Sequence, residues 1–121
     1  MKFMTIVKGN ENAGVPPKAL FDAIDKLMAD QIKSSIFVDA GGLEPTSKAA
    51  RVRISGGRIS VIDGPFTEAK EVIGGYAIYD VASKNEAIEW TRAFLEAHIG
   101  LWPQELEVEV RQMMDDPSNG C

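Results

Sequence analysis

The sequence predicts an α+β domain in which two amphipathic helices cover one face of a sheet. Two segments carry apolar residues at helical spacing, and short runs rich in β-branched and aromatic residues lie between and around them. A chain of 121 residues fits one domain and buries roughly two-thirds of its unfolded surface on folding. We therefore expect a single domain over residues 1–114, with residues 115–121 as a flexible C-terminal tail.

Composition excludes several classes of function. The hydrophobic fraction of 45% and the charged fraction of 26% are typical of a soluble globular domain. The net charge is −5 without a run of Lys or Arg, which argues against direct binding of nucleic acid. The apolar run from Phe3 to Val7 is too short for a membrane span or a signal-peptide core. We expect a cytoplasmic protein without membrane contact.

Cys121 is the sole cysteine and the last residue. It closes no internal disulfide and cannot assemble a thiolate metal site. The single histidine and the scattered carboxylates have no recognised ligand spacing either, so no metal is expected. Gly74-Gly75 opens a strand without a following helix, which argues against a phosphate-binding loop, and we expect no tightly bound cofactor.

The first half of the chain reads as strand, helix and strand. Lys2–Lys8 is apolar on both faces, which predicts a central strand. The Pro16-Pro17 pair suits a helix entry, and Lys18–Lys33 follows as an amphipathic helix. Ile36–Ala40 is a second strand that we expect to end at Gly41-Gly42.

A hairpin precedes the second helix. Arg51–Ile54 and Arg58–Ile62 flank Ser55-Gly56-Gly57, a spacing that predicts a tight β-hairpin because glycine adopts positive φ at little cost. Gly75–Val81 is the next strand. The sequence of Ser83–Glu86 is that of a capping box, which begins the second helix.

The chain closes with one more strand. Gly100 is the expected αL cap of the second helix. Leu106, Val108 and Val110 then alternate with polar residues, as in a strand with one solvated face. The element order is that of a ferredoxin-like α+β sandwich with an inserted hairpin. We expect further apolar surface on the sheet face opposite the helices, from Phe3, Val7, Tyr76 and Ile78.

The stretch between the hairpin and the next strand carries a recognisable motif. Asp63-Gly64-Pro65-Phe66, followed by Thr67–Glu71 and Gly74-Gly75-Tyr76, resembles the signature of the DGPF branch of the YciI-like (YCII-related) family. The resemblance implies a homodimer whose sheets pair as a dimeric α+β barrel, and an unknown small-molecule ligand. DGPF-type proteins are often encoded beside, or fused to, extracytoplasmic-function sigma factors, which implies a possible sigma-factor association.

Asp63 is the leading candidate for chemistry. It ends a strand before a Gly-Pro turn, where a rigid sheet holds the side chain at the border of a cleft. It is a candidate acid or base, and the alternative is a carboxylate that accepts turn amides in an Asx-type arrangement. If the following segment forms a helical turn, Glu68 and Glu71 share a face near Asp63. The pKa of a carboxyl group in this cluster would then be raised, because neighbouring negative charges disfavour its ionisation. The alternative is a solvated charged turn.

His98 is the second catalytic candidate, because imidazole titrates near neutrality. The alternative is a structural histidine in the last helical turn. The resemblance implies an acid–base couple of a first-helix histidine and an aspartate, which Asp63 matches. This first helix has no histidine, so the couple is broken unless His98 replaces it.

Four further residues are candidate ligand-binding residues. Phe66, Glu68 and Lys70 match the family motif, and Tyr76 follows the two motif glycines. Arg51, Arg53 and Arg58 either bind an anionic group or line an exposed hairpin face.

The sequence thus supports two hypotheses. One is a cofactor-free enzyme that moves a proton with Asp63, and the other is a non-catalytic dimeric binding or regulatory module.

Overall fold

The computed structural model describes residues 1–115, so the predicted tail lies, beyond Asp115, outside the described residues. The order of elements follows the predicted pattern of strand, helix, strand, hairpin, strand, helix and strand. The elements are β1 (Lys2–Gly9), α1 (Lys18–Lys33), β2 (Phe37–Gly42), β3 (Ala50–Ser55), β4 (Arg58–Asp63), β5 (Val72–Asp80), α2 (Lys84–Glu96) and β6 (Glu107–Gln112), with a 3-10 turn at Thr46–Lys48.

Four of these strands form one antiparallel sheet in the order β2-β5-β1-β6. β1 pairs with β5 on one side, where Phe3 lies opposite Tyr79, and with β6 on the other, where Phe3 lies opposite Gln112. The prediction that β1 is a central strand is confirmed. The strand order and the two helices confirm the ferredoxin-like α+β fold.

The two faces of this sheet differ. Phe3, Thr5 and Val7 face the helices, and a buried cluster of Phe3, Ile36, Tyr79, Val81 and Ala87 forms the core there. On the opposite face, Met4 pairs with Ile78 and Ile6 with Tyr76. The prediction that Phe3 and Val7 contribute to the uncovered face is wrong, because alternate residues of a strand point to opposite faces.

The helices match the predicted bounds closely. α1 spans the predicted residues and buries Leu20 and Gln31 against the sheet. Ser83 caps α2, since its Oγ accepts from the Glu86 N–H at 3.2 Å. The Glu86 carboxylate accepts from the Ala82 N–H at 2.9 Å rather than from that of Ser83, so the predicted capping box is closed one residue earlier. α2 ends at Glu96, and Gly100, at φ 83°, follows in the turns beyond it.

The hairpin forms a sheet of its own, separate from the four-stranded sheet. Gly56 and Gly57 have φ values of 57° and 77°, which confirms why glycines occupy the turn. β2 continues through Gly41-Gly42, two residues beyond its predicted end, because Gly41 pairs with Tyr76 and Gly42 with Gly75. The glycines that end the apolar pattern therefore still belong to the ladder.

Candidate functional site

A cavity of about 380 Å³ lies between the helices and the sheet. Its sheet wall comes largely from β2 and β5, where six small residues leave little side-chain volume: Ala40, Gly41, Gly42, Gly74, Gly75 and Ala77. Protein interiors are normally filled to the density of organic crystals. Here the small residues of the sheet leave a space, and α1 covers this space without filling it.

The walls of this cavity are mainly apolar. α1 contributes Phe21, Ile24, Leu27 and Met28, and α2 contributes Phe94. No Asp, Glu, Lys, Arg or His among residues 1–115 lines it. A pocket with this lining favours a neutral occupant, because a charged group would lose its hydration there without gaining a partner.

The cavity has a few buried polar groups. Thr5, Gln31, Tyr79 and Thr91 line it, and each is under 10% exposed. The Gln31 Nε2 donates to the Tyr79 hydroxyl at 3.0 Å, and the Thr5 hydroxyl donates to the Ala77 carbonyl at 3.1 Å. Burial raises the pKa of Tyr79, so its phenol is neutral at physiological pH. The described part of the chain therefore offers hydrogen-bonding groups to an occupant of the cavity, but no charged ones.

Tyr76 is the one predicted site residue among those that border this cavity, but it alternates with Gly75 and Ala77 along β5, so its ring lies on the opposite face of the sheet, beside Gly41. Its hydroxyl donates to Asp39 Oδ2 at 3.0 Å, and this hydrogen bond raises the pKa of Tyr76. Tyr79 also lines the cavity and was not among the predicted ligand-binding residues. The alternation of Gly75, Ala77 and Tyr79 along β5 was the available signal, since these three residues share the face toward the helices.

The motif loop after β4 packs against the 3-10 turn. The Gly64 N–H donates to the Ala49 carbonyl at 2.8 Å, and the Phe66 N–H donates to Thr46 Oγ1 at 3.1 Å. A Cβ at Gly64 would lie 1.6 Å from the Thr46 carbonyl oxygen. Close backbone packing therefore explains the glycine of the Asp-Gly-Pro-Phe motif, and the Gly64-Pro65 bond is cis.

Within this loop, Glu68 binds a hairpin arginine. The Arg51 guanidinium forms an ion pair with the Glu68 carboxylate and lies 3.8 Å from the centre of the Phe66 ring. The hydrogen bond from Arg51 lowers the pKa of Glu68. The helical turn that would place Glu68 and Glu71 on one face is absent, because the segment is a turn closed by the Ala69 N–H on the Phe66 carbonyl and β5 begins at Val72. Glu68 is 66% exposed, as the alternative of a solvated charged turn predicts.

Phe66 and Lys70 line a second pocket of about 370 Å³ between the motif loop and residues 9–12. Glu11 also lines it, but its carboxylate already accepts from the Thr46 hydroxyl at 2.6 Å and from the Thr46 N–H at 2.8 Å. These hydrogen bonds lower the pKa of Glu11. The predicted ligand-binding residues are thus divided, with Phe66 and Lys70 at this pocket and Tyr76 at the other.

The two catalytic candidates lie in different parts of the fold, Asp63 at the end of β4 and His98 in the turn that follows α2. Asp63 is the exposed last residue of β4, and within residues 1–115 no hydrogen bond reaches its carboxylate. The Asx-type alternative is absent, since the Gly64 N–H donates to Ala49. His98 is 8% exposed, its Nδ1 lies 2.8 Å from the Phe94 carbonyl oxygen, and its ring packs edge-on against Phe94. The structure thus gives His98 local structural contacts.

Among residues 1–115, no group of three or more His, Cys, Asp or Glu side chains is placed to hold a metal ion. No helix in the same range is long and apolar enough to cross a membrane.

Fold and cavity together define a small ferredoxin-like α+β protein with an apolar chamber between its sheet and its helices. The model of the YCII-related domain matches residues 1–113. The chain belongs to the YCII-related family, as the motif resemblance indicated.

Two comparisons give individual proteins. The chain is 37% identical over 83 residues to Uncharacterized protein R00369 of Rhizobium meliloti (strain 1021), a match that spans 64% of this chain and 64% of that relative. Among solved structures, it is similar to 5-chloro-2-hydroxyhydroquinone dehydrochlorinase (TftG) from Burkholderia phenoliruptrix AC1100 in complex with 2,5-dihydroxybenzoquinone. That match has a TM-score of 0.42 and 16% identity, and covers 98% of each chain.

Proposed function

We propose that this protein binds a small, neutral, mainly apolar organic molecule in the cavity between its sheet and its helices. The observation that carries the proposal is the lining of that cavity, in which apolar side chains surround a few hydrogen-bonding groups and, within residues 1–115, no ionised ones. A volume of about 380 Å³ lies in the range of small-molecule pockets. Largely apolar walls with a few placed polar groups are typical of such sites.

The polar groups suggest how the occupant is oriented. Tyr79 and Gln31 already bond to each other, so the phenol and amide present partly satisfied groups rather than free ones. An occupant with one hydroxyl or carbonyl group gains a hydrogen bond there and leaves its apolar part against Leu27 and Met28. The ligand class is thus a compact, mainly apolar compound with one polar substituent.

The test is ligand-induced thermal stabilisation with para-cresol, indole and naphthalene as probes. A ligand that binds only the folded state at 100 times its Kd stabilises it by about 2.7 kcal/mol. Met28→Trp places a large side chain in the cavity and is expected to weaken binding at least tenfold. Ala29→Trp is the matched control, because Ala29 is the next residue of α1 and is exposed. Equal stabilisation of wild type and Met28→Trp would place binding elsewhere.

A cofactor-free enzyme that uses Asp63 as acid or base is the second candidate. The observation that favours it is the exposed carboxylate of Asp63, which accepts no hydrogen bond within residues 1–115 and is therefore available to a ligand. His98 as its partner stays a prediction, as do ligand roles for Phe66, Glu68, Lys70 and Tyr76.

Asp63→Asn separates catalysis from structure. Since no hydrogen bond in the described chain depends on this carboxylate, the melting temperature should not change. If Asp63 moves a proton, the turnover rate of the Asp63→Asn variant on an identified substrate should be at least a hundredfold below that of the wild type. A lower melting temperature with unchanged ligand binding would assign Asp63 a structural role and remove this candidate.

The assembly of the protein completes the proposal. We propose a homodimer in which the sheet face with Met4, Ile6, Tyr76 and Ile78 meets a second subunit, as in a dimeric α+β barrel. The half-buried apolar side chains of that face support it. Membership of the DGPF branch, a cytoplasmic location and association with a sigma factor stay predictions. A pull-down with tagged protein that recovers no sigma factor would count against the last of these.

A further inference from the structure

The polar side chains that line the cavity already donate hydrogen bonds within the protein. The Thr91 hydroxyl donates to the Ala87 carbonyl, one turn earlier in α2, at 2.8 Å. The Thr5 hydroxyl donates to a backbone carbonyl of β5, and Gln31 Nε2 donates to the Tyr79 hydroxyl. Burial raises the pKa of Tyr79 and hydrogen bonds with Gln31 and Thr5 oppose that rise, so the Tyr79 hydroxyl is engaged on two sides. A ligand that only accepts hydrogen bonds therefore finds few free donors here.

Gln31 has one polar atom without a partner. Within residues 1–115, no donor reaches its Oε1, although the residue is only 4% exposed. Every side-chain nitrogen or oxygen that is fully enclosed in this range has a hydrogen-bond partner, so Oε1 keeps a surface that a small molecule can reach, and Gln31 lines the cavity. The bond from Nε2 to Tyr79 holds the amide in place, with Oε1 on the other side of the amide carbon. The cavity therefore presents one buried, oriented acceptor.

Local packing does not require an amide at this position of α1. The buried residues of the helix are Leu20 and Gln31, and an apolar side chain would fill the place of Gln31 as Leu20 fills its own. Burial removes water from both polar atoms of the amide, and the bond to Tyr79 replaces that hydration only at Nε2. An O–H or N–H group of an occupant would replace it at Oε1. The unpaired oxygen therefore indicates an occupant that donates.

We propose that the occupant of the cavity donates a hydrogen bond to Gln31 Oε1. This inference rests on the proposed function and narrows its ligand class to neutral compounds with an O–H or N–H group, such as phenols, alcohols and N–H heterocycles. An ammonium group also donates, but within residues 1–115 no carboxylate lines the cavity to pair with its charge. Ketones, ethers and hydrocarbons of the same shape leave Oε1 unpaired and bind less tightly.

The test uses three ligands of nearly the same shape: indole, indene and benzofuran. At one position of the five-membered ring they carry an N–H donor, a CH₂ group and an oxygen acceptor, respectively. In NMR titrations, the wild type should bind indole about fivefold more tightly than either of the others. Gln31→Met keeps a side chain of similar length without the amide, and should bind all three within about twofold of one another. Gln112→Met is the matched control, because Gln112 is exposed on β6 outside the cavity, and should keep the preference for indole.

The outcomes separate the ligand class from the cavity itself. A wild type that binds none of the three ligands overturns both the proposed function and this inference. Equal affinities for the three leave the proposed function standing and overturn the inference, as does a preference for indole that persists in Gln31→Met. If Gln31→Met does not fold, nuclear Overhauser effects between the indole N–H proton and the Gln31 side-chain amide protons of the wild type replace it. Their absence in the indole complex overturns the inference in the same way.

Discussion

The four-stranded sheet and the β3–β4 hairpin are built from similar strand-forming residues, but their side chains are covered very differently. Phe3 and Tyr79 of the four-stranded sheet are 1% and 3% exposed, whereas Ile54 and Ile59 of the hairpin are both 73% exposed. The sandwich completes its core within one chain, and the hairpin does not. β-Branched residues thus specify a strand pair locally, while the burial of its side chains depends on what packs against them.

The largest expected effect is a loss of stability from a substitution in the core between the sheet and the helices. Phe3→Ala removes a fully buried ring from the core and should lower the free energy of unfolding by about 3–5 kcal/mol at every protein concentration. Val52→Ala, its hairpin counterpart, shortens a side chain that is 70% exposed and should change the free energy of unfolding by less than about 0.5 kcal/mol. Chemical denaturation of the two variants measures both changes. A loss for Val52→Ala as large as that for Phe3→Ala would contradict the contrast.

A smaller effect distinguishes the two tyrosines of β5. Tyr79→Phe leaves the buried Gln31 Nε2 without its hydroxyl partner and should cost about 1–3 kcal/mol. Tyr76→Phe removes only a partly exposed hydrogen bond to Asp39 and should change stability by less than about 0.5 kcal/mol. Thermal or urea unfolding of the two variants side by side tests this. Equal losses would mean that the amide of Gln31 finds another partner.

The smallest effect lies at the junction of hairpin and motif loop. The pKa of Glu68 is lowered in the folded protein by Arg51, so this ion pair contributes stability at neutral pH and loses it as pH falls through that lowered pKa. The Glu68 side chain is 66% exposed, so the contribution is small. In Arg51→Met, an NMR titration should find the pKa of Glu68 raised back toward the ordinary glutamate range. An unchanged pKa would show that Arg51 does not hold this carboxylate ionised.

Much of the fold was predictable from local sequence patterns. The apolar stripe of α1, the Ser83 cap of α2 and the glycine turn of the hairpin depend on residues close together in the chain, and each was located within a few residues. Two details were not predictable: the hydrogen bond from the Ala82 N–H to Glu86, and the continuation of β2 through Gly41-Gly42. Both depend on which backbone groups meet in space, and the apolar pattern of the sequence does not encode those contacts.

The candidate site was less predictable than the fold. The motif correctly identified the family, but it directed attention to Asp63, Glu68 and Lys70, which lie outside the apolar cavity. The elements, their order and the residues available on each face follow from local patterns, because helix and strand periodicities depend on residues close together in the chain. That the small residues of β2 and β5 lie side by side under α1 follows only from how the elements pack. A cavity is volume left empty between distant segments, and no single segment encodes it.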